Sequence, residues 1–127
     1  MGIIVSKKDV FDVENFKKEM EIYSKEKSYP IPIVIYFFAS WCAPCKMLSP
    51  ILDSVMEQYE GLVRFVKIDI DLYPDIAEKY EIMSVPTLLF FGKNGLVRRE
   101  TGFKSEAAIV EIIENELLKS KEISPEV

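Results

Sequence analysis

Cys42 and Cys45 are the only cysteines in this chain of 127 residues, and just Ala43 and Pro44 separate them. At that spacing two sulfurs can close into a disulfide or open into a dithiol, so the pair reads as redox chemistry. It follows an unbroken apolar run, Ile33 to Ala39, and precedes Leu48, Ile51, Leu52, Val55 and Tyr59, which recur every three or four residues. That places the pair at a strand-to-helix junction, where free backbone N–H groups and the positive end of the helix dipole stabilise a thiolate. Cys42, with Lys46 nearby, is the expected nucleophile: it attacks a substrate disulfide and forms a mixed disulfide. Cys45, one helical turn on and less exposed, then resolves that intermediate and leaves Cys42 and Cys45 oxidised.

The rest of the composition narrows the class. The chain is long enough for one domain, 1–127, whose core needs no disulfide staple, with a variable arm over about 1–9 and a polar tail over about 119–127. A net charge of −5 and basic clusters no longer than Lys7-Lys8, Lys17-Lys18 or Arg98-Arg99 argue against nucleic-acid and anionic-membrane partners. No apolar run reaches the roughly 18 residues that span a bilayer and no secretory h-region opens the chain, so a cytoplasmic monomer is expected. With two cysteines and no histidine, a zinc site would need a dimer sharing four cysteines. No metal and no cofactor beyond the redox-active pair is expected.

Around the motif the periodicities alternate between strand and helix. A first strand is expected within residues 1–12, from Ile3-Ile4-Val5 or Val10-Phe11. Asp12 can cap a helix over Val13 to Lys25 with Phe16, Met20 and Tyr23 on its apolar face. The Ile33 to Ala39 run lacks polar alternation, as does a strand buried on both faces of a mostly parallel sheet. The next helix spans Ala43 to Tyr59 and stops at Gly61; Pro44 suits its first turn, whereas Pro50 should kink it. Leu62 to Ile70 reads as a strand, Pro74 opens a short helix, and Thr87 to Phe91 and Leu96 to Thr101 form a hairpin about an Asn-Gly turn. Ser105 caps a last helix that buries Ile109, Ile112, Ile113 and Leu117.

This order of elements resembles the thioredoxin family over nearly the whole chain. The resemblance rests on Trp41-Cys42-x-Pro44-Cys45-Lys46, Pro50, Val85-Pro86-Thr87, the Lys93-Asn94-Gly95 turn and Gly102. It implies an α/β thioredoxin fold, a central mixed sheet of four or five strands with helices on both faces, and Pro86 in the cis form beside the cysteines. It further implies a reductase of protein disulfides fed by a thioredoxin reductase, with Trp41, Val85, Pro86 and Gly102 lining an apolar substrate groove. A thiol oxidase or isomerase, or a non-catalytic binding module, is the alternative. On residues alone Pro86 would be read as a trans proline opening a strand, and a plain core role for Trp41 and Val85 stays open.

Two positions depart from the family pattern. Ala43 stands where glycine is usual, which stiffens the loop slightly. Tyr36 stands where the family carries a buried aspartate that assists proton transfer at the resolving cysteine. A phenol is no ready base near neutral pH, so resolution by Cys45 is expected to slow, while loss of a nearby anion favours the Cys42 thiolate and a more oxidising pair. Lys67, which matches the lysine beside that aspartate, is expected to lack a carboxylate there and to turn toward solvent, Asp69 or Asp71.

Overall fold

The computed structural model describes residues 12–118. The expected first strand, the arm and the polar tail fall outside these residues, apart from Asp12. That residue caps α1 (Val13–Glu26), its carboxylate accepting the Asn15 N–H at 3.0 Å, and Phe16 and Met20 turn inward one helical turn apart. The chain then enters β1 (Ile33–Phe38), followed by α2 (Ala43–Gln58), β2 (Arg64–Asp69), α3 (Pro74–Lys79), β3 (Thr87–Gly92), β4 (Gly95–Thr101) and α4 (Glu106–Ile112).

The described strands form one mixed sheet in the order β2-β1-β3-β4, parallel between β1 and β2 and antiparallel elsewhere. Helices cover both faces, which explains the missing polar alternation in β1. Val34 and Tyr36 pack with Leu48, Leu52 and Val55 of α2 and Ile109 of α4. Ile33, Ile35 and Phe37 pack on the opposite face with Phe16 and Met20 of α1 and Ile76 of α3. A central strand anchored on both faces gives the cysteine loop at its end a fixed base.

Several local features differ from the expected pattern. The helix expected over Ala43 to Tyr59 ends one residue earlier, α2 running through Pro50 to Gln58 with Tyr59 as its C-cap. β2 begins at Arg64 rather than Leu62, because Leu62 and Val63 both donate their N–H groups to the Tyr59 carbonyl in a turn where Gly61 takes φ 87°. The hairpin pairs Gly92 with Gly95 across Lys93 and Asn94, so β4 starts one residue early. Opposite Phe90 and Phe91 stand Arg98 and Leu96, which leaves Val97 as the extra residue of a bulge. The last helix was expected to stay α-helical to Leu117, but after Ile112 it widens into a π-helical segment, Ile113–Leu118. Ile109, Ile112, Ile113 and Leu117 are all buried as expected. In this winding Tyr59 donates to Glu114 at 2.6 Å and Arg98 to Glu116 at 3.0 Å, tying the segment to α2 and β4.

Ser105 accepts the Ala108 N–H at 3.1 Å as the N-cap of α4. Ser105→Ala should lower unfolding free energy by about 1 kcal/mol, and Ser105→Asp should retain most of it. Urea denaturation of the two variants checks this; equal losses would contradict a capping role.

Candidate active site

The loop from β1 to α2 brings the cysteines together as a Cys42–Cys45 disulfide with 5.2 Å between Cα atoms. Cys42 is itself the N-cap of α2, in extended conformation, and its Sγ accepts the Cys45 N–H at 3.2 Å. The sulfur predicted to become the thiolate therefore already faces a backbone donor at the positive end of a helix. Ala43 and Pro44 fill the exposed first turn; Lys46 is also exposed. The expected contrast in exposure is almost absent, with Cys42 4 % and Cys45 2 % exposed. Both cysteines share one buried cluster with Ala39, against which Phe38, Ile70 and Val85 pack. Position in the helix, rather than exposure, distinguishes the two cysteines.

Around the disulfide the expected groove residues separate into exposed and supporting ones. Trp41 is 66 % exposed, which removes it from the core, and its indole N–H donates to Asp71 at 2.9 Å. Asp71 in turn donates its backbone N–H to the Asp69 carboxylate at 2.9 Å, so the turn after β2 holds the indole. Val85 is half-buried against the cysteines, and the Val85–Pro86 bond is cis, as the family pattern implied. Gly102 takes φ 86°, a left-handed value that disfavours any side chain, while its N–H donates to the Pro86 carbonyl at 2.8 Å. Met83 and Phe103 flank this segment in the chain and are exposed, 92 % and 43 %.

Beneath the loop, Tyr36 is 3 % exposed and stacks on Phe38 at 5.3 Å between ring centroids. Its hydroxyl donates to the Cys45 carbonyl at 3.1 Å and lies 3.1 Å from Ser49 Oγ, which also donates to that carbonyl at 3.0 Å. Burial pushes the phenol above its usual range, the Ser49 hydrogen bond opposes this, and the Asp53 carboxylate adds to it. Tyr36 is thus even less able to act as a base near neutral pH than a free phenol.

The expectation for Lys67 is corrected. Its ammonium does not turn toward Asp69 or Asp71 but donates to Asp53 at 2.9 Å. Lys67 stands beside Tyr36 in the β1–β2 register, and Asp53 lies one turn beyond Ser49 on α2, so helix and strand bring the two charges together. A carboxylate therefore does accompany this lysine, but on the helix and with a side chain 62 % exposed. Neither Ser49 nor Asp53 was singled out from the sequence, and Asp71, expected as a partner of Lys67, instead holds Trp41. The spacing of four from Cys45 to Ser49 to Asp53 was the available signal.

Tyr36→Asp should place a carboxylate beside Lys67 and under Cys45 and speed turnover, while the lost ring lowers stability by about 2–4 kcal/mol. Rates of disulfide reduction across pH check this; unchanged rates at every pH would contradict it.

A redox disulfide at the N-cap of the helix leaving the central strand, with a cis proline beside it, defines a thiol–disulfide oxidoreductase built on the thioredoxin fold. The family model described as Thioredoxin matches residues 7–115. A thioredoxin of Staphylococcus aureus is 38 % identical over 84 residues, 66 % of this chain and 81 % of that protein. Among solved structures, oxidised mitochondrial thioredoxin 3 of Saccharomyces cerevisiae aligns with a TM-score of 0.64 and 32 % identity, covering 76 % of this chain and 89 % of that one. A malarial protein aligns with a TM-score of 0.66 and 30 % identity over 69 % of this chain and 99 % of that one. The chain belongs to the thioredoxin family.

Proposed function

We propose that this protein works in the reducing direction, transferring two electrons from the Cys42/Cys45 dithiol to disulfides of other proteins. What supports the exchange chemistry is the N-cap geometry, Cys42 Sγ receiving the Cys45 N–H at 3.2 Å where the helix dipole favours a thiolate nucleophile, and what supports the reducing direction is the likeness to thioredoxins. Cys42 attacks one substrate sulfur; the other substrate sulfur leaves as a thiolate and takes up a proton. Cys45 then gives up its proton and attacks Cys42 Sγ, which closes the disulfide and releases the second substrate thiolate. Trp41, Val85, Pro86 and Gly102 form the receiving surface, with Ala43, Pro44 and Lys46 completing the loop.

In this reading the chain acts as a monomer and as one domain with no cofactor besides its disulfide. A cytoplasmic thioredoxin reductase regenerates it. Among the described residues no helix is long and apolar enough to cross a membrane. One observation favours the oxidase or isomerase reading instead: Tyr36 leaves no carboxylate directly beneath the cysteines, which raises the potential of the pair. Reduction of a disulfide-linked protein with dithiothreitol as the electron source tests the proposal. Release of substrate thiols well above the uncatalysed rate is expected; a rate equal to dithiothreitol alone would refute it.

A further inference from the structure

We infer that Ser49 and Tyr36 act as a paired positioning device, two hydroxyls on the carbonyl of Cys45 that favour its thiolate in the resolving step. This rests on the proposed role of Cys45 as the resolving residue. The geometry is a closed triangle: Tyr36 Oη to Cys45 O at 3.1 Å, Ser49 Oγ to Cys45 O at 3.0 Å, and the two hydroxyl oxygens 3.1 Å apart. Each hydroxyl carries a single proton. Both protons can point at the carbonyl, or one hydroxyl can donate to the other, which then donates to the carbonyl. Loss of either hydroxyl thus leaves the other still bonded to Cys45, and only loss of both strips the carbonyl of side-chain donors.

The carbonyl oxygen carries partial negative charge on the same residue whose sulfur must become an anion. Hydrogen bonds draw that charge away, and in a buried setting their effect is larger than in water. In the mixed disulfide, Cys45 loses its S–H proton to solvent and forms the bond to Cys42 Sγ. The Cys42 bond to the substrate breaks, and the substrate sulfur leaves with the electron pair and is protonated by water. A lower pKa for Cys45 raises the fraction of competent thiolate at neutral pH. Asp53, the carboxylate that acts on Tyr36, is partnered by Lys67, and Glu100 of β4, which pairs with Leu88 opposite Tyr36, is partnered by Arg98 and Lys104. Lys46 lies exposed on α2, and β3 and α4 contribute the apolar Leu88 and Ile109 to the cluster holding Tyr36.

Stopped-flow release of substrate thiol from a preformed mixed disulfide, recorded against pH, tests this in four proteins. Ser49→Ala and Tyr36→Phe should each resolve within about threefold of the parent, since one donor remains. The double variant should be slower by about tenfold or more at pH 7, with its rate–pH curve displaced about one unit upward, and should converge on the parent at high pH. Tyr36→Phe combined with Ser49→Thr, which restores a hydroxyl, should behave as Tyr36→Phe alone. Additive losses with an undisplaced curve would overturn the inference, as would failure of the threonine to rescue. Failure of the parent to form any mixed disulfide would instead refute the dithiol exchange on which the inference rests.

Discussion

Cys45→Ser should turn the protein into a covalent trap that binds a disulfide substrate once and keeps it. With the resolving sulfur gone, attack by Cys42 still forms a mixed disulfide, but no internal thiol can open it. Multiple-turnover reduction should fall by at least about 10³-fold, and mass spectrometry should find one substrate molecule disulfide-linked to Cys42, released by dithiothreitol. Cys42→Ser should lose turnover to the same degree yet trap nothing, because Cys45 lies inside the first turn rather than at the N-cap where the thiolate is stabilised. Equal trapping by the two variants would contradict the assignment of roles, which rests on helix position and not on accessibility, since the two sulfurs are almost equally covered.

Phe37→Ala should be the most damaging change to the scaffold beneath that loop. Phe37 is fully buried on the central strand, faces the α1 and α3 layer, and its ring lies 6.0 Å from that of Tyr80. Truncation removes the buried ring and leaves a cavity that strands bonded on both sides cannot close, at a cost of about 3–5 kcal/mol. Domains of this size hold about 5–15 kcal/mol, so urea denaturation should show a large fall in midpoint. Leu62→Ala, by contrast, removes a side chain 55 % exposed in a turn and should change stability by less than about 0.5 kcal/mol. A loss below about 1 kcal/mol at Phe37 would mean that the α1 layer packs far more loosely than its burial indicates.

Much of this was legible in the residues because local physics dictated it. The apolar β1 run, the capping positions of Asp12 and Ser105, and the spacing of Ile109, Ile112, Ile113 and Leu117 each depend on neighbours in the chain. The family pattern supplied what local rules could not, the cis form of Pro86, since a trans proline is the ordinary expectation. The environment of Cys45 was hidden for a different reason. Tyr36 comes from a strand and Ser49 from the following helix, and their convergence on one carbonyl depends on how α2 lies across the sheet. The Lys67–Asp53 pair escaped in the same way: parity in β2 pointed to Asp69 and Asp71, whereas the lysine reaches across to the helix. The π-helical segment Ile113–Leu118 left the apolar spacing intact and gave no sign in the sequence.

A redox titration of the Cys42/Cys45 pair against a dithiol buffer, followed by the fluorescence of the adjacent, exposed Trp41, tests the central claim most directly. One two-electron transition is expected at or somewhat above about −270 mV, the potential known for thioredoxin itself, with any upward displacement attributed to Tyr36. A transition near about −180 to −120 mV would contradict the reducing direction and favour an oxidant or isomerase, and the absence of any transition would contradict dithiol exchange altogether.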